Sequence, residues 1–402
     1  MSDSINARWR TMKFQGMGIG IPKEIMHGER RVAAIPDTVK KMAAEGARVF
    51  VEKGAGEGSY FADAAYVEAG AVVLDDVQAL FAQADVILKV KEPLYNEKAQ
   101  KHEAEMLREG QYLIAFLHPA APANREMMKT LAASGCISLT LDGIPRISRA
   151  QSMDALTSMS TVAGYKSVLM AADCLGKFLP MTGTAVGVIK PANVVVIGAG
   201  VAGLQSIATA KRLGAVVTAV DIRPDAAEQA RSLGAKSFDV GIPAEIALGE
   251  GGYARRLPDE WLAKERESMR GLVRDADILI LAALIPGKLA PLLVTGEMVQ
   301  SMAPGSVIVD IAIDQGGNCA LTEAGEIVVK HGVTINGIKN MPGMLPTSST
   351  WMFASNMYNM LAFLAQNGKI VLDREDPIIA STLTTIDKKI VHAGALESSL
   401  EA

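Results

Sequence analysis

Cysteine is scarce in this chain: Cys136, Cys174 and Cys319 are the only three among 402 residues, with no CxxC pair and no matching histidine spacing. That scarcity excludes a disulfide framework, offers no pattern for zinc or another metal, and fits reduced thiols in a cytoplasmic setting. Long apolar runs are missing as well. Stretches such as "ILILAALIPG" and "FLPMTGTAVGVI" stop well short of the roughly 18–20 residues that a bilayer-spanning helix requires. The opening "MSDSINARWR" lacks the apolar segment of a signal peptide, so direct membrane insertion is not expected. Neither sign of charge dominates, because 40 basic and 44 acidic residues are interspersed and leave a formal net charge of −4. Without a basic stripe, nucleic acid is not an expected partner.

What is present is apolar bulk in repeating order. At 49% hydrophobic and 21% charged the chain can bury a large core, and at roughly 100–200 residues per domain its length predicts two domains. Between residues 17 and 140, short apolar runs ("MGIGIP", "RVFVEKG", "AVVLDD", "DVILKVKEP", "QYLIAFLHP", "CISLTL") alternate with helical segments such as "PDTVKKMAAEG" and "PANREMMKTLAASG". A proline-free stretch from Arg149 to about Phe178 reads as one long helix. The alternation then resumes with "NVVVIGAGVAG", "AVVTAVDIRPD", "DILILAALIPG", "SVIVDIAID" and "GVTINGI". This pattern predicts an α/β fold of two doubly wound Rossmann-like domains with a cleft between them. The first spans 1–150 and is completed by 341–402, because the remaining tail is too short to fold alone; the second spans 151–340.

The second domain carries a nucleotide signature. Gly198, Gly200 and Gly203 stand in G-x-G-x-x-G spacing around Val201 and Ala202, between a strand and a helix, and Asp221 closes the next strand eighteen residues after the last glycine. The glycines suit a tight turn and close approach of backbone to a pyrophosphate, the helix N-terminus supplies N–H groups, and the acid suits a ribose diol. The competing reading is glycine kept only for strand-to-helix packing. Asp221 favours NAD over NADP, since a carboxylate repels a 2′-phosphate, and Arg223 two residues on weakens that preference. A Pro-Gly turn in "AALIPGK" (282–288) could bring Lys288 near the cofactor or be an ordinary strand-ending turn.

"PRISRAQSMDALTS" (145–158) is dense in polar groups. Ser148 and Gln151 have the spacing of a capping box; Gln151, Asp154 and Ser158 would share one helix face, which leaves a solvated face as the plain alternative. Taken with "GAGVAGLQSIATAKRLGA", "GEGGYARRLP", "ALIPGK" and "GGNCALTE", the stretch resembles the nucleotide-binding alpha subunit of proton-translocating NAD(P) transhydrogenases over nearly the whole chain. The resemblance implies that Arg146, Gln151 and Asp154 approach the nicotinamide end of NAD(H), with Thr157 where serine is usual. It implies a mobile loop at Gly251, Gly252 and Tyr253 that folds over the nucleotide. It further implies NADP(H) on a partner beta subunit, a separate membrane-spanning alpha segment, a homodimer, and a cytoplasmic position peripheral to the inner face of the cell membrane.

A second set resembles the alanine dehydrogenases of the same wider family: Arg31 in "RVA", Lys91 in "KVKEP", His118 after "FL", Asp314 in "DIAIDQGG", and Asn340 with Met341 in "NMP". Cations at Arg31 and Lys91 could hold a carboxylate, and His118 or Asp314 could move protons during imine chemistry. Each also has a plain reading, with Arg31 paired to Glu24 or Glu29, Lys91 paired to Glu92, and His118 capping a strand end. The expected activity is hydride exchange between NAD(H) and partner-held NADP(H), coupled to proton translocation through other chains. The alternatives are NAD-dependent oxidation of alanine or a related amino acid, and a nucleotide-binding module without turnover.

Overall fold

The computed structural model describes residues 12–249, 254–285 and 289–400. The chain forms two compact units, Met1–Met159 with Gly343–Ala402, and Ser160–Pro342. The changeover falls inside a helix, Ala155–Cys174, rather than in the loop before it, because that helix runs unbroken from one unit into the other.

The first unit is built on six parallel strands: β1 (Gly18–Ile21), β2 (Arg48–Glu52), β3 (Val72–Leu74), β4 (Val86–Leu88), β5 (Tyr112–Ala115) and β6 (Ile137–Thr140). They lie in the order β6-β5-β4-β1-β2-β3, and Leu383–Ile386 and Lys389–Ile390 from the tail extend the sheet antiparallel beyond β6. Sheet order therefore reverses between β1 and β4, the switch point at which doubly wound sheets open a crevice. The glycines of β1 have a packing cause. A Cβ on Gly20 would come 2.8 Å from both Leu80 Cδ2 and Ile87 Cδ1, so the helix Val77–Gln83 can lie close on β1 only without it. That helix starts where Asp76 Oδ1 accepts from Gln78 N at 2.9 Å, an ordinary side-chain cap.

The second unit repeats the order. Its strands are β7 (Asn193–Ile197), β8 (Val216–Val220), β9 (Lys236–Phe238), β10 (Ile278–Leu281), β11 (Val307–Asp310), β12 (Ile327–Lys330) and β13 (Val333–Asn336), arranged β9-β8-β7-β10-β11-β13-β12 with only β12 antiparallel. Alternate residues of β7 feed two cores: Val194 and Val196 pack with Ile207, Ile280 and Val309, whereas Val195 and Ile197 pack with Met269, Leu279 and Ile308. Both faces are covered, which is why these strands read as continuous apolar runs. Two strands of this sheet escape the sequence reading. β9 is three residues long, and β12 is an edge strand whose Val329 is exposed.

The expected helix from Arg149 is interrupted. Ser148–Met153 forms a 3-10 segment, and the α-helix begins only at Ala155. The cause is Asp154, whose Oδ1 accepts from Thr157 N at 2.8 Å while its Oδ2 accepts from Thr157 Oγ1 at 2.6 Å. The cap therefore sits six residues later than the Ser148–Gln151 box, and no side chain caps the 3-10 segment. Ser152 O ties this segment to the returning helix Pro346–Leu364, accepting from Asn356 Nδ2 at 2.9 Å and Asn359 Nδ2 at 3.0 Å.

Candidate functional site

In the second unit the glycine loop follows β7. Gly198 takes φ +92°, and a Cβ there would come 2.6 Å from Ala282 C and Ala283 N at the end of β10, so both the turn and the neighbouring strand demand glycine. A Cβ on Gly203 would run into the Gly198 carbonyl oxygen. Packing alone thus explains two of the three glycines. It does not explain Gly200, where an added Cβ would meet nothing within 4 Å among the described residues. Gly200 is the N-cap of the helix Val201–Arg212, and no side chain caps that helix. The first-turn N–H groups of that helix have no side-chain cap, and the space a Gly200 side chain would take stands open among the described residues, the arrangement that accepts an anionic phosphate. The residues present fit a dinucleotide on that ground.

Two features missed by sequence reasoning hold the loop in place. A Cβ on Gly164 would collide with Ala202 O, so Gly164 lets the helix Ala155–Cys174 press against the glycine-loop helix. Ser206 Oγ bridges the same contact by donating to Gly164 O at 3.0 Å. On the other side, Asn318 clamps the end of β10, with Oδ1 accepting from Ala283 N at 3.0 Å and Nδ2 donating to Ala283 O at 2.9 Å and Pro291 O at 2.8 Å. Asn318 is itself fixed by Asp310, which accepts its N–H and those of Ala312 and Cys319. A glycine or an asparagine carries no sequence signal for such a role, because the role exists only through its neighbours.

Asp221, at the end of β8, is fully engaged. Its Oδ2 accepts from Ala199 N at 2.7 Å and Arg223 Nη2 at 2.8 Å, and its Oδ1 accepts from Arg223 N and Nε, both at 2.9 Å. Four donors fill a carboxylate's lone pairs, so a ribose diol must compete with Arg223. The hydrogen bonds that Arg223 donates to Asp221, the largest influence, keep its guanidinium above its ordinary value although burial opposes the charge.

In the first unit the second set of residues gathers at the C-terminal ends of β1, β4, β5 and β6. Arg31 is held by Glu29, with Nε to Oε1 at 2.8 Å and Nη2 to Oε2 at 2.5 Å, both side chains being almost wholly buried. Burial pushes the Glu29 carboxyl upward, and the charge and hydrogen bonds of Arg31 overcome it and hold the carboxyl at about 2. Of the two plain readings for Arg31, Glu29 is the partner. Glu24 instead belongs to a buried triad with Glu103 and Lys89, at 3.4 Å and 3.2 Å from Lys89 Nζ, and also accepts from the backbone of Val90 and Lys91. Burial raises the Glu24 carboxyl to about 7, with Lys89 opposing and Glu103 reinforcing.

Lys91 acts electrostatically on both Glu29 and His118, and among the described residues no ion pair joins it to Glu92. His118 takes φ +45°, an uncommon backbone for a side-chain-bearing residue. Its Nδ1 lies 2.8 Å from Asp142 Oδ1 while its N–H donates to Asp142 Oδ2 at 2.8 Å, and its ring stacks on Phe116. Burial lowers the imidazole, but Asp142's charge and hydrogen bond outweigh it, so His118 titrates above its ordinary value and Asp142 below. Asp142 was not visible as a site residue in the sequence.

The remaining candidates are dispersed. Arg146 and Gln151 are exposed, Asp154 and Thr157 are half-buried in their mutual cap, and Arg149 pairs with Asp376 at 2.6 Å. Asp314, in the second unit, is exposed, and Met341 is part of that unit's core. Tyr253, with Gly251, Gly252 and Lys288, lies outside the described residues.

Two units with Rossmann strand order, one of them with a phosphate-ready glycine loop, define a dinucleotide-type α/β protein. Family comparison makes this specific: the N-terminal domain of the alanine dehydrogenase/PNT family matches residues 20–163 and its C-terminal domain residues 167–393, and the chain belongs to that family of oxidoreductases. It is 44% identical over 379 residues to the first segment of the NAD(P) transhydrogenase alpha subunit of Rhodospirillum rubrum, covering 94% of this chain and 98% of the relative. Among solved structures, the transhydrogenase from Sinorhizobium meliloti matches with a TM-score of 0.79 and 38% identity over 94% of this chain and 99% of its own. An L-alanine dehydrogenase matches with 0.80 and 30% over 96% and 99%. Backbone shape does not separate the two activities, and sequence identity leans to the transhydrogenases.

Proposed function

We propose that this chain binds NAD(H) and exchanges hydride with NADP(H) held by a separate beta subunit. Proton translocation runs through membrane chains, including a membrane-spanning alpha segment, and the chain sits as a homodimer on the inner face of the cell membrane. The observation that carries the reading is Gly200, where a side chain would meet nothing within 4 Å among the described residues, on a chain 44% identical to a transhydrogenase alpha subunit over nearly its full length. The N–H groups of Val201, Ala202 and Gly203 would take the pyrophosphate, and Asp221 with Arg223 the adenosine ribose. When bound, the nicotinamide supplies the carbon that gives or receives hydride. The protein's role is to position that ring and exclude water: Arg146, Gln151, Asp154, Thr157 and Tyr253 hold it, and no side chain accepts the hydride.

One observation favours a second reading, NAD-dependent dehydrogenation of alanine or a related amino acid. His118, Asp142 and Lys91 stand together at strand C-terminal ends, with Asp142 on Nδ1 so that Nε2 is the nitrogen left for proton transfer. Lys91 would hold the substrate carboxylate, while Arg31 is already committed to Glu29; Asp314 would complete the set.

The deciding experiment mixes the purified chain with NADH, pyruvate and ammonium and follows NADH absorbance, with Lys91→Ala as control. Absence of oxidation, with NADH bound and transhydrogenation appearing once the NADP-binding partner domain is added, supports the first reading. Rapid oxidation that Lys91→Ala abolishes replaces it with the second, and a chain that binds no NADH refutes both.

A further inference from the structure

The four donors on Asp221 are of two kinds. Ala199 N at 2.7 Å and Arg223 N at 2.9 Å are backbone groups, whereas Nε at 2.9 Å and Nη2 at 2.8 Å belong to the Arg223 fork. The backbone donors are fixed by the fold, because Ala199 follows the Gly198 turn that packs against Ala282 and Ala283, and Arg223 is the N-cap of the helix Pro224–Ser232. The fork is free to turn. It sits on a flexible stem, its side chain is 16% exposed against 5% for Asp221, and a second carboxylate, Asp225, stands exposed in the first turn of the same helix. A carboxylate has about four acceptor sites, so two ribose hydroxyls find room on Asp221 only where the fork now lies.

We infer that Arg223 is a specificity-determining residue of the proposed NAD(H) site, a latch on Asp221 that lowers the affinity for NAD(H) and raises it for a 2′-phosphorylated nucleotide. The inference rests on the dinucleotide reading above.

An unphosphorylated ribose can give its two hydroxyl protons to Asp221 only after both fork bonds have broken, and hydrogen bonds between charged groups are the strong ones. The displaced guanidinium then turns to water and to Asp225. With a 2′-phosphate the exchange differs. The released fork meets phosphate oxygens that suit its planar, two-pronged geometry, which offsets the repulsion between the phosphate and Asp221. Arg223 therefore narrows the preference for NAD(H) that Asp221 alone would give. A purely structural pair, holding the end of β8 to the helix that follows it, would act on both nucleotides alike.

The test measures dissociation constants of NADH, NADPH, ADP and 2′,3′-dideoxy-ADP by calorimetry for the full chain and for Arg223→Met, which keeps the apolar stem without the fork. The expected result is that the variant binds NADH and ADP about tenfold more tightly and NADPH about tenfold more weakly. The dideoxy compound, with no ribose hydroxyl to give Asp221, is expected to bind both proteins equally. NADH that is not tightened, or NADPH that is not weakened, overturns the inference while leaving the dinucleotide reading intact. An equal gain for the dideoxy compound also overturns it, because the effect would then lie at the adenine or the pyrophosphate. Failure of the unaltered chain to bind any of the four removes both together. If the methionine variant does not fold, Arg223→Gln, which loses the charge but can still donate one hydrogen bond to Asp221, is expected to move the constants in the same directions by smaller factors.

Discussion

Asp154 closes the first turn of the helix Ala155–Cys174 through both of its oxygens, and it also stands where a nicotinamide-positioning carboxylate is proposed. Substitution separates the two roles, because asparagine caps a helix about as well as aspartate whereas alanine does not. Asp154→Asn is expected to keep the urea midpoint and lose hydride transfer, and Asp154→Ala to lose hydride transfer and about 1 kcal/mol of stability. An active Asp154→Asn protein would leave only the cap. Arg31 poses the same kind of question through Glu29. The Glu29 carboxyl is displaced from 4.5 to about 2, so its stabilisation is complete above about pH 4.5 and is lost as pH falls toward 2, an effect of roughly 3 kcal/mol. In Arg31→Met the buried carboxyl has lost its cation and its titration moves upward. That variant is expected to be less stable at pH 7 and to gain more stability than the unaltered protein on acidification toward pH 5, measured by urea unfolding. Parallel pH profiles would show that Glu29 is held by something other than Arg31.

At the scale of elements, the glycine loop and the buried triad make opposite demands. Gly203→Ala places a Cβ against the Gly198 carbonyl oxygen, and the rigid turn has nowhere to move, so unfolding is expected at a urea concentration well below that of the unaltered chain. Gly200→Ala meets open space among the described residues and is expected to fold normally while binding NADH at least tenfold more weakly, read by calorimetry; normal binding would put the pyrophosphate elsewhere. Under β1 and β4, Lys89 is 1% exposed between Glu24 and Glu103. Burial disfavours its charge, but Glu103 and Glu24 together keep it protonated above its ordinary value. Lys89→Met leaves two buried carboxyls without their cation and is expected to cost about 3–5 kcal/mol at pH 7, seen as an earlier first transition in urea.

At the scale of the molecule, the six parallel strands of each unit follow the same order, and the chain passes between the units at Met159 and again at Pro342. Among the described residues no helix is long and apolar enough to cross a membrane. The second unit exposes several apolar side chains together around one hairpin. The antiparallel hairpin of Thr182–Thr184 and Gly187–Ile189 carries Val186 at 98% and Val188 at 69% exposure, next to Met181 and Phe178. Contiguous exposure of this kind marks an association surface, which supports the proposed homodimer. Sedimentation is expected to give a dimer for the unaltered chain and a monomer for Val186→Asp with Val188→Asp; a dimer in both would place the interface elsewhere.

Sequence by itself determined a large part of this protein. The alternation of apolar runs with helical segments specified eleven of the strands, since a strand covered on both faces has to be apolar at every position, and the glycine spacing marked the loop after β7 because a turn, a close carbonyl and an approaching phosphate each exclude a side chain. Only the tertiary structure decided which charges meet. Glu24, Lys89 and Glu103 meet because β1 and β4 lie side by side in the sheet, and His118 meets Asp142 because β5 and β6 do, although the members of each group are far apart in the chain. Arg31 could as well have faced Glu24 as Glu29. Local patterns record what the backbone needs at each position, whereas the partner of a buried charge is a property of the packing, and no single stretch of sequence contains it.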